Sequence, residues 1–250
     1  MERLREEFEM LHKTSGIILH TTKYSETSLI VKIISPDFGL KSYMVNGVRS
    51  KKSKLKANLF QPLALVELVV SNTDKANLQR ISEINILYPY TDIPYNIIKS
   101  TIALFLNEIL YKAIKEQHSD ENLFEYIKNS LQLLDINHHS CANFHIFFMV
   151  QLSRYLGFFP EGNYSQTTSV FDLLEGRFVG QLPNHPHYLN AIQSSFFNEL
   201  INEEYGSIHQ MKIDKNQRKQ LVQALIKFYQ LHITSFGEIK SYEILEQVIA

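Results

Sequence analysis

The 250-residue sequence predicts an α+β protein with a five-stranded β-barrel at its N-terminus and a larger, all-helical part that carries a small β-hairpin. Short β-branched runs separated by turn residues fill the first third of the chain. After Pro89 and Pro94 the apolar residues recur at three- and four-residue spacing, which is the period of amphipathic helices. The 44% hydrophobic and 20% charged residues are typical of a packed globular protein.

Five runs with strand character lie between residues 13 and 88, and this number of short strands is typical of an OB-type barrel. We predict a nucleic-acid-binding OB domain over residues 13–88. Residues 1–12 are predicted to be an N-terminal extension, and their many charges argue against a signal peptide. The five predicted strands are residues 16–22, 29–34, 40–45, 63–70 and 78–87.

A helical, partner-binding domain is predicted over residues 95–250. Asp120 is a good N-cap for its second helix, and Gly157 followed by Pro160 ends the third. Residues 170–179 are predicted to form the hairpin. The predicted helices are residues 98–113, 120–134, 143–156, 188–204, 214–236 and 241–249.

The distribution of charge favours two different binding partners for the two parts. Leu11–Tyr88 holds 11 Lys and Arg against 5 Asp and Glu, a net +6, whereas the rest holds 14 against 21, a net −7. A basic barrel suits nucleic acid, and an acidic helical part suits other proteins. No apolar run is long enough to cross a membrane, and the single cysteine, Cys141, fits a cytoplasmic protein.

The strongest local signal is a basic loop, Gly47–Lys56, which has five cations and no acidic residue. Lys and Arg displace counterions from phosphates, so this loop is predicted to bind nucleic acid. The alternative interpretation is a solubilising surface loop. Tyr24 and Tyr43 are candidates for base stacking or, alternatively, for barrel packing. The candidate DNA-binding residues are Arg49, Lys51, Lys52, Lys54 and Lys56 of the loop, with Lys23, Lys32 and Lys41 of the barrel.

Neither metal binding nor catalysis is predicted. His138, His139 and Cys141 lie close in the sequence, but no second cluster completes a set of zinc ligands. The chain has no Gly-x-Ser-x-Gly element, phosphate-binding loop or dinucleotide fingerprint. We therefore expect no cofactor and no enzymatic activity, although an enzyme with an unrecognised site stays an alternative.

Three stretches resemble the RecO family of DNA-repair mediators. Residues 16–31 resemble its opening strand pair, and Gly47–Ser53 matches its Gly-x-Arg-x-x-x-Ser loop. Leu152–Pro160 resembles its central helix with the Leu-Gly-Phe-Phe-Pro exit, and Phe171–Phe178 fits the hairpin beyond it. The resemblance spans residues 13–249. It is specific because the Gly-x-Arg-x-x-x-Ser loop and the Leu-Gly-Phe-Phe-Pro motif occur in this order.

The resemblance implies an OB-fold, a helical domain and a set of partners. It implies binding of single- and double-stranded DNA, strand annealing, and cooperation with RecR and the tail of single-strand-binding protein to load RecA. Many family members hold a four-cysteine zinc site after the exit, but residues 161–180 contain no cysteine. Zinc is therefore not expected, and packing of Phe171 and Phe178 is expected to hold the hairpin. The alternative function is an RNA-binding OB module in translation or tRNA handling.

Overall fold

The computed structural model describes residues 11–48, 56–72, 77–115, 118–203 and 211–249. Contacts divide the chain into two compact units. One is Met1–Pro89 with Lys115–Lys128, and the other is Tyr90–Ile114 with Asn129–Ala250. The five-stranded barrel lies in the first unit, and a small three-stranded sheet lies in the second.

The barrel is closed in the strand order β1-β2-β3-β5-β4, which confirms the predicted OB-type fold. All neighbours are antiparallel except β3 and β5, which pair in parallel through Tyr43 with Gln79 and Met44 with Arg80. A short 3₁₀ helix, Ala57–Phe60, precedes β4. The strands are β1 (Leu11–Lys23), β2 (Leu29–Ser35), β3 (Gly39–Val45), β4 (Leu65–Ser71) and β5 (Gln79–Tyr88).

Two strands differ from their predicted bounds by more than one residue. β1 begins at Leu11, five residues before the predicted strand and two residues before the predicted start of the barrel at residue 13. β4 begins at Leu65 rather than at Leu63, because Leu63 adopts a positive φ of 61°. In this conformation the amide of Leu63 donates to the carbonyl of Ile18 at 2.6 Å, which ties the entry of β4 to β1.

Alternate residues of the strands fill the barrel with apolar side chains, as the period of two requires. Gly16 faces this interior, where a Cβ atom would lie 2.6 Å from Cγ2 of Ile33 and 2.9 Å from Cδ1 of Leu68. Only glycine fits there without moving the packed side chains. The core cluster comprises Ile18, Leu29, Val31, Ile33, Tyr43, Val45, Val48, Phe60, Val66, Leu68, Val70, Ile81 and Ile84.

Six described helices follow, close to the predicted ranges. Asn190 and Asp214 begin two of them with capping boxes, and Gly157, at a φ of 82°, follows the end of the third. No helix among the described residues is both long and apolar enough to span a membrane. The helices are α1 (Ile97–Ala113), α2 (Glu121–Ile136), α3 (Phe144–Tyr155), α4 (Ala191–Asn202), α5 (Lys215–His232) and α6 (Ser241–Ile249).

The predicted hairpin is confirmed as β6 (Val170–Asp172) and β7 (Arg177–Val179), and a third strand joins it. The prediction of a helix from Tyr188 was wrong at its first residues. Tyr188–Leu189 forms β8, which pairs with β6, and α4 starts only after the Asn190 cap. The helix α5 also ends earlier than predicted, at His232 instead of residue 236.

A buried carboxylate fixes the segment that leads into α1. The carboxylate of Asp135 accepts hydrogen bonds from the amides of residues 91–93, each at 2.9 Å, and from the Thr91 hydroxyl at 3.0 Å. Buried Lys99 donates to the Asp135 carbonyl at 2.7 Å and pairs with Asp92 at 2.6 Å. Burial acts to raise the pKa of Asp135, but the hydrogen bonds from residues 91–93 outweigh it and lower the pKa below its usual value.

Replacing Gly16 by Ala is expected to destabilise the barrel by about 1–3 kcal/mol, because the added methyl group overpacks the contact with Ile33 and Leu68. Urea denaturation measures the change in the free energy of unfolding. Ser15→Ala is the matched control, since Ser15 pairs with Glu67 on the outer side of β1. Equal stability of the Gly16 variant and the parent would contradict this packing.

Asp135→Asn is expected to destabilise the fold by roughly 1–3 kcal/mol at neutral pH, because one amide oxygen cannot satisfy the four donors. The lowered pKa means that Asp135 stabilises the fold above its unfolded pKa of 3.8 and that this contribution is lost as the pH falls through the folded value. Thermal unfolding from pH 7 to pH 2.5 measures both effects.

The variant should therefore lose less stability than the parent on acidification. The matched control is Asp120→Asn, since Asp120 accepts one bond from the amide of Leu123 as the cap of α2, and Asn caps equally well. If the two substitutions had equal effects, Asp135 would not hold the 91–93 segment.

Candidate nucleic-acid interface

The basic loop leaves and re-enters the barrel beside β1 and the β1–β2 turn. At its start, the amide of buried Val48 donates to the carbonyl of Thr27 at 3.0 Å. At its end, buried Phe60 belongs to the core cluster, and its carbonyl accepts from the Thr21 hydroxyl at 2.9 Å. Of the predicted loop cations, Lys56 is exposed. Arg49, Lys51, Lys52 and Lys54 lie outside the described residues.

The β1–β2 turn presents two of the predicted side chains at this end of the barrel. Lys23 is exposed at the end of β1, where it pairs with Leu29, and Tyr24 is 64% exposed. The turn is joined to the start of the basic loop a second time, because the hydroxyl of Ser28 donates to Asn46 Oδ1 at 2.9 Å. Lys23 and Tyr24 therefore lie at the end of the barrel where the loop begins.

Lys32 lies on the outer face of the barrel, between the interior residues Val31 and Ile33. Cross-strand pairing places it in one row with His20 of β1 and Ser42 of β3. Partial burial and the charge of Lys32 lower the pKa of His20 below its usual value. The shift favours the neutral form of His20, and Lys32 supplies the positive charge of this row.

A second row on the same face contains a cation that the sequence analysis missed. Ile30 of β2 pairs with Met44 of β3, and Met44 pairs with the exposed Arg80 of β5. The parallel β3–β5 pairing brings Arg80 to this face, although it is far from Lys32 in the sequence. Arg80 could have been predicted as part of this face only by combining the strand order of an OB barrel with the alternation of side chains along β5.

Two predicted residues lie elsewhere. Lys41 pairs with the interior residue Ile33. It therefore lies on the opposite face of β3 from Ser42 and does not belong to the row of Lys32. Tyr43 is fully buried in the core cluster, which excludes base stacking and confirms the alternative of barrel packing. Burial raises the pKa of Tyr43 to about 12.

The arrangement suits contacts with a phosphate backbone. Lys32 and Arg80 flank the apolar side chains of Ile30 and Met44 on strands, and Lys23 and Lys56 are exposed at the loop end of the barrel. Cations of this kind bind phosphates and carry no base information. The face of β2 and β3 is also the surface that OB-folds use for oligonucleotides.

The second unit contains a groove of about 410 Å³ that sequence reasoning did not find. The first turns of α5 supply its basic residues, and α6 supplies apolar residues together with Tyr242 and Glu246. Lys219 lines this groove, where it pairs with Glu246. The basic residues are Lys215, Arg218 and Lys219, and the apolar ones are Val222, Leu245 and Ile249.

Two polar side chains of the groove differ in their surroundings, since Arg218 is hydrogen-bonded and His145 is buried. Arg218 donates to Asn143 Oδ1 at 3.1 Å and to the carbonyl of Ile213 at 3.0 Å. His145 is 1% exposed, and its Nδ1 has no hydrogen-bond partner among the described residues. Burial, and secondarily the charge of Arg218, lowers the pKa of His145 to about 3, so the ring is neutral.

Aromatic packing holds the β6–β7 hairpin. The predicted contact of Phe171 with Phe178 is present at a centroid distance of 5.0 Å, and Phe171 also contacts Phe197 at 4.7 Å. His232 Nε2 lies 2.9 Å from the carbonyl of Leu173. Within the described parts of the chain, no group of three or more His, Cys, Asp or Glu could hold a metal ion. The absence of bound zinc stays a prediction.

Comparison with known proteins assigns both parts of the chain to one family. The family model described as "Recombination protein O N terminal" matches residues 10–90, and "Recombination protein O C terminal" matches residues 94–243. A "DNA repair protein RecO" of Phocaeicola vulgatus is 36% identical over 241 residues, which cover 96% of this chain and 100% of the relative.

Two further relatives carry the same name. The protein of Bacteroides fragilis is 37% identical over 240 residues, with 96% of this chain and 99% of the relative covered. The protein of Flavobacterium psychrophilum is 35% identical over 240 residues, with 95% and 99% covered. From two matched family models and nearly full-length similarity, we conclude that the chain belongs to the RecO family.

Proposed function

We propose that this chain is a non-enzymatic mediator of DNA repair and homologous recombination that binds single- and double-stranded DNA. The barrel domain, residues 13–88, binds DNA, and the helical domain, residues 95–250, binds protein partners. One observation carries the proposal. The basic loop is anchored at both ends beside the exposed cations of an OB barrel. Membership of a family whose relatives are named DNA repair proteins supports it.

The proposed mechanism is strand annealing through the phosphate backbone. Lys32, Arg80 and the loop cations neutralise phosphates, so the repulsion between two complementary strands falls. The bases of a strand held by its backbone remain free to pair, and no covalent step is required. The chain then cooperates with RecR and helps to load RecA onto DNA coated with single-strand-binding protein.

The groove of the second unit is proposed to bind the acidic tail of single-strand-binding protein. Lys215, Arg218 and Lys219 supply positive charge at the beginning of α5, where the helix dipole also favours an anion. The apolar wall of Val222, Leu245 and Ile249 suits the apolar end of a tail. Binding of this tail would bring the barrel to strands that the protein already coats.

Replacing all five loop cations by Ala is expected to weaken DNA binding similarly for all sequences. Each lost phosphate contact should reduce the log–log salt slope by roughly 0.7 for a single strand. Fluorescence anisotropy at several salt concentrations measures affinity and slope, and circular dichroism shows whether the fold survives. The replaced residues are Arg49, Lys51, Lys52, Lys54 and Lys56.

The matched control removes five cations of the helical domain outside the groove and so changes the net charge equally. It should leave the slope unchanged. A folded loop variant with the parent's affinity and slope would show that the loop is not the DNA site, and a preference of the parent for structured RNA would favour the RNA-binding alternative. The control residues are Arg154, Arg177, Lys212, Lys227 and Lys240.

Lys215→Ala and Lys219→Ala are expected to weaken binding of a fluorescent peptide with the sequence of the tail by about 2- to 5-fold each, as for partly screened charge pairs. Glu246→Gln should strengthen it, because Glu246 competes for Lys219. Lys227→Ala is the control. Unchanged affinity in all three groove variants, measured by anisotropy, would place the tail elsewhere.

A further inference from the structure

Tyr24 presents an aromatic ring to solvent at the loop end of the barrel. It is 64% exposed, whereas Tyr43 and Phe60 are buried in the core and Phe38 packs against it. Within the described residues of the first unit, Tyr24 is the one large aromatic side chain with an exposed ring. Its phenol makes no hydrogen bond or ring contact with the described residues, so the ring contributes little to the stability of the barrel.

The turn that carries Tyr24 is held in one conformation by its own hydrogen bonds. The amide of Tyr24 donates to the carbonyl of Ser28 at 3.0 Å, and the amide of Ser25 donates to the same carbonyl at 3.2 Å. The Ser25 hydroxyl accepts from the amide of Ser28 at 3.1 Å. Binding therefore needs little ordering of the backbone at this position, which favours a contact by the ring.

The cations of the candidate interface do not distinguish an unpaired base from a paired one. Lys23, Lys32 and Arg80 suit contacts with phosphates, which single strands and duplexes both present. Ile30 and Met44, which lie between the cations of the strand face, offer no aromatic plane. A preference for unpaired bases needs a flat ring that a base can stack on, and stacking is open only to bases outside a duplex.

We infer that Tyr24 stacks on an unpaired base of a bound strand and gives the barrel a preference for single-stranded over duplex DNA. The inference rests on the proposed DNA-binding function. The adjacent Lys23 holds the backbone of the same strand, so one turn supplies both the phosphate contact and the stacking platform.

The test compares three variants on three probes. Tyr24→Ala removes the ring, Tyr24→Phe keeps it, and Tyr95→Ala removes an 85% exposed tyrosine of the second unit as the matched control. The probes are a labelled single strand, the corresponding duplex, and a single strand of equal length without bases at its central positions. Anisotropy gives each affinity at several salt concentrations.

Tyr24→Ala is expected to lose roughly 5- to 100-fold in affinity for the intact single strand, the range of one base–aromatic stack. Its affinity for the duplex and for the abasic strand should stay within about 2-fold of the parent, and its salt slope should not change, since no phosphate contact is lost. Tyr24→Phe should behave as the parent, and so should Tyr95→Ala.

The outcomes separate the inference from the function it rests on. If the parent does not bind DNA, the proposed function fails and the inference fails with it. If the parent binds but Tyr24→Ala has the same affinity for the intact strand, Tyr24 does not stack and the DNA-binding function stands. An equal loss on all three probes, or a loss that Tyr24→Phe shares, also overturns the stacking role.

Discussion

Closure of the barrel depends on the pairing of β3 with β5, which is short and parallel. Each of the other strand pairings of the barrel is antiparallel and has six or seven residue pairs, whereas β3 and β5 have two residue pairs. This contact brings Arg80 beside Met44 and completes the outer face. It also places Tyr43 opposite Gln79, so the same strand supplies a buried tyrosine and two outward side chains of the candidate interface.

The fold could be predicted from the sequence because the strand runs of the barrel and the three- and four-residue spacing of the helices are clear. The position of a side chain could not be predicted where it depends on residues that are distant in the sequence. Alternation along β3 shows that Lys41 and Tyr43 share a side, but not which side is inside. β8, with two residues, is too short to show a period, and it forms because β6 offers an edge. Arg80 was missed because its place depends on the parallel pairing.

The groove of the second unit is a further case that no local pattern reveals. Its residues come from α3, α5 and α6, which are far apart in the chain, and they meet only through the packing of three helices. The burial of His145, whose Nδ1 has no hydrogen-bond partner in the described part of the chain, also follows from this packing and cannot be read from the sequence of α3.

The anchoring of the basic loop has a consequence for how the family can diversify. Val48 and Phe60 belong to the barrel core, and hydrogen bonds to Thr27 and Thr21 fix the backbone at the two ends. Because these contacts lie on either side of the segment between Val48 and the 3₁₀ helix, the length and charge of that segment can change without disturbing the strands. Doubling the length of a loop costs only about 0.6 kcal/mol in closure entropy. If the segment binds nucleic acid as proposed, loops of different composition retune the affinity on one unchanged scaffold.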